Sequence, residues 1–226
     1  MRHDAIVKEE NRLRGDAGQS AETLHTLPEL LGLFYAEPYV QLPHAGGFIL
    51  ARRQGGTATT AITGSNEEEL EKENDEEAVV GYTLFAFDTR EFEETLESQW
   101  FHPLRAKYPK DTSDADTYKI QLTEADKQYV SLLHAPGLAP DACVAFSPAH
   151  LHVDILPEAQ RQGWGRRLLD AAVRFLRDEK GLTSVWLGYD PKNTDAARFY
   201  ERLGFKPIEG APSNYVGLKF EDWTFA

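Results

Sequence analysis

A single cysteine, Cys143, stands in the 226 residues. It excludes an intrachain disulfide framework and any cysteine-based metal site, and it suits a reducing compartment. No apolar run approaches the roughly 18–20 residues of a membrane-spanning helix, and the polar start of the chain has no signal-peptide core. A cytoplasmic protein is the expectation, and the sorting signals are too few to separate cytosol from nucleus. Positive charge is also scarce: 24 Lys and Arg face 37 Asp and Glu, for a formal net charge of −13. No basic stretch interleaved with aromatics is left to grip a nucleic acid. His150 and His152 share one strand face without a third ligand, so no metal is expected.

With 41% hydrophobic and 11% aromatic residues, the chain has ample core for one domain over residues 1–226. Glu67, Glu68, Glu69, Glu71, Glu73, Asp75, Glu76 and Glu77 against Lys72 supply −7 of the charge. Together with the small and polar residues that begin at Gln54, they read as a disordered acidic loop over 54–77, solvated or tethering a basic partner. Asp16 to Tyr39 reads as two short helices broken near Leu27-Pro28, and Gly46–Arg53 and Ala78–Asp88 as an antiparallel strand pair around the loop. Asp88-Thr89-Arg90-Glu91 has the form of a capping box. The helix that it opens repeats Phe92, Leu96 and Trp100 and should end or kink before Pro103. A polar linker over Lys110–Asp116 and a helix from Thr123 to about Pro136-Gly137 follow.

The most informative stretch is Gln160-Arg161-Gln162-Gly163-Trp164-Gly165-Arg166. It joins a strand-like run, Leu151–Leu156, to an amphipathic helix with the stripe Leu168, Leu169, Ala172, Phe175 and Leu176. A strand that turns through glycines into a helix gathers backbone N–H groups at the positive end of a helix dipole, a cradle for a phosphate or diphosphate. Gly163 and Gly165 bring no Cβ to obstruct it, and Arg161 and Arg166 add charge at the rim. A nucleotide P-loop would need Gly-Lys followed by Ser or Thr, and a dinucleotide fingerprint would open the first βαβ unit; neither is present. A second strand, Ser184–Tyr189, then Asn193 and a helix through Ala196, Ala197, Phe199, Tyr200, Leu203, Gly204 and Phe205 follow, with a last strand near Tyr215–Phe220.

Gln-x-x-Gly-x-Gly followed by Asn-x-x-Ala-x-x-Phe-Tyr-x-x-x-Gly-Phe resembles the acetyl-CoA-binding core of the GNAT acetyltransferases, over about 148–207. Gly81-Tyr82-Thr83-Leu84, Asp88 to Phe92, Trp100, Pro103-Leu104-Arg105, Tyr108-Pro109 and Ala149 to Pro157 narrow the likeness. They resemble the acetyltransferase-like domain of nucleocytoplasmic O-GlcNAc hydrolases and its stand-alone microbial relatives. The implied fold is of the α/β (α+β) class: a mixed, twisted sheet with one splayed parallel strand pair, flanked by helices. A GNAT chain usually opens with a strand; Met1–Arg14 offers only Ala5-Ile6-Val7, so the strand is either short or replaced at the sheet edge, for instance by a second subunit in a homodimer.

The resemblance implies an N-acetyltransferase with acetyl-CoA as cosubstrate. Ile155, Leu156, Gln160, Arg161, Gln162, Gly163, Trp164, Gly165, Arg166, Asn193 and Tyr200 would hold it, and a backbone N–H near Ile155 would polarise the thioester carbonyl. Tyr200 holds the position that donates a proton to the sulfur. For the base that takes a proton from the amine, Asp154 comes first, because a carboxylate amid Val153, Ile155 and Leu156 is costly to bury without purpose. Asp190 follows, then Asp88. Asp16, Tyr35, Tyr39, Asp88 and Trp100 are the candidates to bind the acceptor, a small amine such as an amino sugar. A protein-lysine acetyltransferase and a non-catalytic CoA-binding domain are the alternatives.

Overall fold

A computed structural model describes residues 25–53, 59–61, 77–111 and 118–224. Along them run α1 (Glu29–Tyr35), α2 (Glu37–Gln41), β1 (Ala45–Arg53), β2 (Thr59–Ala61), β3 (Glu77–Ala86), α3 (Thr89–Thr95), a π-helical turn (Leu96–Phe101) and α4 (His102–Lys107). Then come α5 (Glu124–His134), α6 (Asp141–Phe146), β4 (His150–Ile155), α7 (Trp164–Arg174) with a second π-helical turn (Phe175–Glu179), and β5 (Ser184–Gly188). The remaining elements are α8 (Thr194–Arg202), β6 (Lys206–Pro207) and β7 (Tyr215–Lys219). They divide into two compact units, Met1–Pro43 with Glu93–Leu138, and His44–Phe92 with Ala139–Ala226.

The first unit is helical. Leu30, Leu33, Phe101, Tyr108, Val130 and Leu133 form its buried core, with Phe34, Trp100 and Tyr129 packed against it. Thr123 caps α5 in a capping box with Asp126, whose buried carboxylate also collects donors from His25, Thr26 and Leu27. The helix begun at Thr89 does not end before Pro103. It passes through the π-helical turn and resumes as α4, with Pro103 in the first helical turn of α4, where its missing N–H costs least.

The second unit is a seven-stranded sheet in the order β2-β1-β3-β4-β5-β7-β6. Its described pairings are antiparallel except β4–β5, which is parallel. This is the mixed sheet with one parallel pair that the motifs imply. Leu168, Leu169, Ala172, Val173 and Leu176 of α7 and its π-helical turn are fully buried on one sheet face, and the ring of Phe175 lies 5.3 Å from that of Phe85. Each such leucine contributes about 1.5–3 kcal/mol by leaving water. On the opposite face α6 packs over β5 and β7, where a Cβ on Gly217 would come within 2.3 Å of the Phe146 ring, so only glycine fits.

Several sequence expectations change here. Thr59–Ala61, inside the segment read as a continuous acidic loop, pairs with Ile49–Ala51 as β2; β-branched threonines suit a strand. Glu77, the last residue of that loop, opens β3, while residues 54–58 and 62–76, Ala5-Ile6-Val7, Asp16 and most of the Lys110–Asp116 linker lie outside the described residues. The helix α6 and the two-residue β6 carry too few residues to produce a period, and neither was expected. Asp88 does cap α3, its Oδ1 accepting from the Glu91 N–H at 3.0 Å, but the Glu91 carboxylate lies 2.8 Å from His44 Nδ1.

Candidate active site

The cleft arises where β4 and β5 part. They are paired at one position, His150 with Trp186, where the Trp186 N–H donates to the Ala149 carbonyl at 3.1 Å. Beyond it β4 stays in register with β3 as far as Gly81–Ile155 and β5 with β7 as far as Gly188–Tyr215, so each strand keeps its outer partner while the two part from each other. The Leu156 N–H donates to the Val80 carbonyl at 2.9 Å. By the alternation of an antiparallel ladder, Asp154 and His152 also direct their backbone groups to β3, while Leu151, Val153 and Ile155 direct theirs to the cleft side. Leu156 was expected to offer backbone groups to a ligand, but its carbonyl is also taken, by the Ala159 N–H at 2.8 Å. Val153 and Ile155 are the residues near the strand end whose backbone groups face the cleft side.

At the cleft mouth the chain turns from β4 into α7. Gly163 is the N-cap with φ +83° and ψ −3°, a left-handed conformation that glycine adopts without steric cost. No side chain caps α7, so the first-turn N–H groups of Trp164, Gly165 and Arg166 have no intrahelical acceptor. Arg161 is left-handed as well, at φ +59°, a conformation costly for a residue with a Cβ. Gln160 Nε2 donates to the Ile155 carbonyl at 2.8 Å and Gln162 Nε2 to the Glu158 carbonyl at 2.8 Å, which pins the turn to the strand end. The two glycines serve different ends. A Cβ on Gly163 would meet open space, whereas one on Gly165 would lie 2.8 Å from the Phe199 ring of α8. Close packing of α7 on α8 thus calls for glycine at 165.

Tyr200 is buried, its ring stacked on Tyr189 at 6.1 Å and set edge-on to Phe199 and Phe205 at 5.2 and 5.4 Å. Asn193 caps α8 by accepting from the Ala196 N–H at 3.0 Å. Asp154 is half-buried, and Tyr82, its register partner on β3, donates a hydroxyl to Asp154 Oδ2 at 3.2 Å. Asp190 is exposed and accepts from the Lys192 N–H at 2.9 Å, the work of a turn residue. Of the acceptor-binding candidates, Asp88 lies in this unit, as the cap of α3. Tyr35, Tyr39 and Trp100 belong to the first unit, where Tyr39 is buried and the Trp100 indole donates to the Leu33 carbonyl at 2.8 Å.

His150, at the fork, emerges with more structure around it than its sequence suggested. Its ring is buried against Trp186, His152 and Phe92 at 5.1, 5.8 and 6.0 Å. The Thr89 hydroxyl lies 2.7 Å from the Pro148 carbonyl and 2.8 Å from His150 Nδ1. A carbonyl only accepts, so the hydroxyl donates to Pro148 and receives from Nδ1–H, which leaves the lone pair on Nε2. Burial lowers the His150 pKa from 6.5 to about 4. A lowered folded-state value means that this contribution to stability is complete above pH 6.5 and is lost as pH falls from there toward 4. Urea unfolding at pH 7.5, 5.5 and 4.5 should therefore show falling stability, with a shallower fall in His150→Gln. Identical profiles would remove His150 as the source.

Among the described residues no group of three or more His, Cys, Asp or Glu could hold a metal ion, and no helix is long and apolar enough to cross a membrane. A profile of the acetyltransferase (GNAT) family matches residues 90–205, half of the chain. The crystal structure of SsHAT superposes with a TM-score of 0.70 at 27% identity, covering 96% of this chain and 93% of that one. Mycothiol acetyltransferase of Renibacterium salmoninarum is 32% identical over 113 residues, 49% of this chain and 28% of that protein. Its counterpart in Salinispora arenicola is 47% identical over 49 residues, 22% of this chain and 16% of that protein. The chain thus spans under a third of the length of these curated relatives. On the family profile and on the parted strand pair with its glycine-capped helix, the chain belongs to the acetyltransferase (GNAT) family.

Proposed function

We propose that this protein is an N-acetyltransferase that moves an acetyl group from acetyl-CoA to the primary amine of a small acceptor, by direct attack in a ternary complex. The observation that supports this most is the strand pair joined at one position and then parted, with the uncapped N-terminus of α7 at its mouth. The residues suit the cosubstrate: open space beside Gly163, first-turn N–H groups for a diphosphate, and arginines at 161 and 166. Acetyl-CoA supplies an activated acyl thioester.

The chain's own residues then divide the work. Amides of Gly163 to Arg166 grip the diphosphate, with Gln160, Arg161, Gln162 and Trp164 shaping the turn. Backbone groups of Val153 and Ile155 line up the arm, and the Ile155 N–H stabilises charge on the carbonyl oxygen. Asp154 takes a proton from the acceptor nitrogen, since an ammonium has no lone pair to attack with, and Tyr82 holds its carboxylate in place. Asp190, exposed and engaged in a turn, is the weaker choice. Tyr200 gives a proton to the departing sulfur, and Asn193 places the helix that carries it. Cys143 is buried, and burial raises its thiol pKa, which disfavours a covalent acetyl-enzyme.

The resemblance to the O-GlcNAc hydrolase-associated branch supports an amino sugar or similar small amine as acceptor. Partial likeness to acetyltransferases named for mycothiol rather than for a protein points the same way. A ligand that binds only the folded chain at a hundred times its Kd adds about 2.7 kcal/mol. Acetyl-CoA is therefore expected to raise the Tm by about 5–10 °C. No shift at millimolar acetyl-CoA would sink the proposal. With a shift in hand, thiol release against amino sugars, polyamines and lysine peptides identifies the acceptor, and silence across the whole panel would favour a binding domain.

A further inference from the structure

Beyond the His150–Trp186 pair, the end of β5 keeps its ladder on one side, with β7. The last strand pair there is Gly188 with Tyr215, and one residue further the Tyr189 N–H donates to the Asn214 carbonyl at 3.1 Å. In a regular antiparallel ladder the return bond of such a pair comes from the facing backbone N–H. Here the Asn214 side chain supplies it, Nδ2 donating to the Tyr189 carbonyl at 2.8 Å. A carbonyl only accepts, so the amide's orientation follows. The turn from Asp190 to Asn193 then leads into α8, which carries Tyr200. Across that turn the two tyrosine rings meet, centroids 6.1 Å apart and planes 28° apart, within the range of a stacked aromatic pair.

We propose that Asn214 is a positioning residue for acetyl transfer: its two-point clamp on the Tyr189 backbone sets the end of β5 and, through the Tyr189 ring, the Tyr200 hydroxyl. The clamp rests on Tyr200 being the proton donor, as proposed above. Past the fork β4 gives the end of β5 no ladder, so the bonds to Asn214 are what hold that end in place. A single backbone bond would act as a pivot, whereas two bonds, on the N–H and the carbonyl of one residue, resist both rotation and sliding. The Tyr189 ring is carried with its backbone. Tyr200 has Phe199 and Phe205 edge-on as walls from α8 and the residues just past it, and Tyr189 is the wall that comes from the strand. Moving that wall gives the hydroxyl room to turn from the sulfur, and a misplacement of about 1 Å can cost roughly a hundredfold in rate. The amides that grip the diphosphate belong to α7, so the clamp acts on turnover and not on cosubstrate affinity.

Steady-state thiol release with the best acceptor, beside a calorimetric titration of acetyl-CoA, tests this on the full chain. Asn214→Ala is expected to lower kcat about tenfold and to leave the acetyl-CoA Kd within about threefold of the parent. Tyr189→Ala should lower kcat by a similar factor, and Tyr189→Phe, which keeps the ring, should recover most of the loss. In the Tyr200→Phe background Asn214→Ala should change kcat by less than about twofold, because a donor that is gone cannot be misplaced. A general packing role for Asn214 would keep its full effect there. An Asn214→Ala kcat equal to that of the parent, or an effect that persists undiminished in Tyr200→Phe, overturns the clamp and leaves the acetyltransferase proposal standing. Should Asn214→Ala fail to fold, the Tyr189 variants decide, and a parental kcat in Tyr189→Ala overturns the clamp as well. A parent chain that neither binds acetyl-CoA nor releases thiol overturns both.

Discussion

Replacing Asp126 by alanine is expected to cost about 3–5 kcal/mol, the range for removing one partner of a buried charged network. The side chain is fully buried in the first unit. Its Oδ1 lies 2.8 Å from His25 Nδ1 and accepts from the Leu27 N–H at 3.3 Å. Its Oδ2 accepts from the Thr26 hydroxyl and N–H at 2.7 and 3.0 Å, and from the Thr123 hydroxyl and N–H at 2.9 Å each. Alanine would leave these donors facing each other in a buried site without their acceptor, which costs more than the bonds themselves contribute.

The same carboxylate predicts the direction of acid unfolding. Burial alone would raise its pKa, but the Thr26 hydroxyl, the Thr123 N–H, the His25 ring and the Thr26 N–H outweigh that and bring it from 3.8 to about 2. With a lowered folded-state value, the stabilisation is present above about pH 4 and is lost as pH falls toward 2. It amounts to roughly 2 kcal/mol at about 1.4 kcal/mol per pH unit. The alanine variant should lack that step between pH 4 and 2 while being less stable at every pH. An alanine variant within 1 kcal/mol of the parent at pH 7 would show that the network does not hold the unit together.

What could be seen in the residues alone follows from the range of each interaction. The turn from β4 into α7 was legible because its signals are local: a glycine free to take positive φ, a helix start without a side-chain cap, a strand before it. The Asn193 cap is just as local, since its partner is three residues away. Asp126 was not legible, because its donors at 25–27 come from about a hundred residues upstream. The packing constraint on Gly165 was not legible either, because the Phe199 ring that imposes it belongs to another helix. The exhaustion of the Leu156 backbone groups, and the hydroxyl of Tyr82 on Asp154, depend on strand register, which no periodicity in a single strand specifies. The π-helical turn before Pro103 was hidden because propensity marks where a helix is strained but not whether it breaks or widens.

Tyr200→Phe is expected to lower kcat by about two orders of magnitude, the lower end of what a positioned proton donor contributes. The substitution is clean because the ring has its own employment. It is buried, stacked on Tyr189 and held edge-on by Phe199 and Phe205, and phenylalanine fills the same volume. The backbone carbonyl of residue 200, which accepts from Leu203 and Phe205, is untouched. Folding and acetyl-CoA affinity should therefore stay within about threefold of the parent, while the sulfur leaves as a bare thiolate and slowly. Single-turnover thiol release with the best acceptor, beside a titration of acetyl-CoA, separates the two effects. A kcat unchanged in Tyr200→Phe removes the hydroxyl from the chemistry. A lost affinity at constant kcat returns the residue to packing and leaves the donor to be sought in solvent.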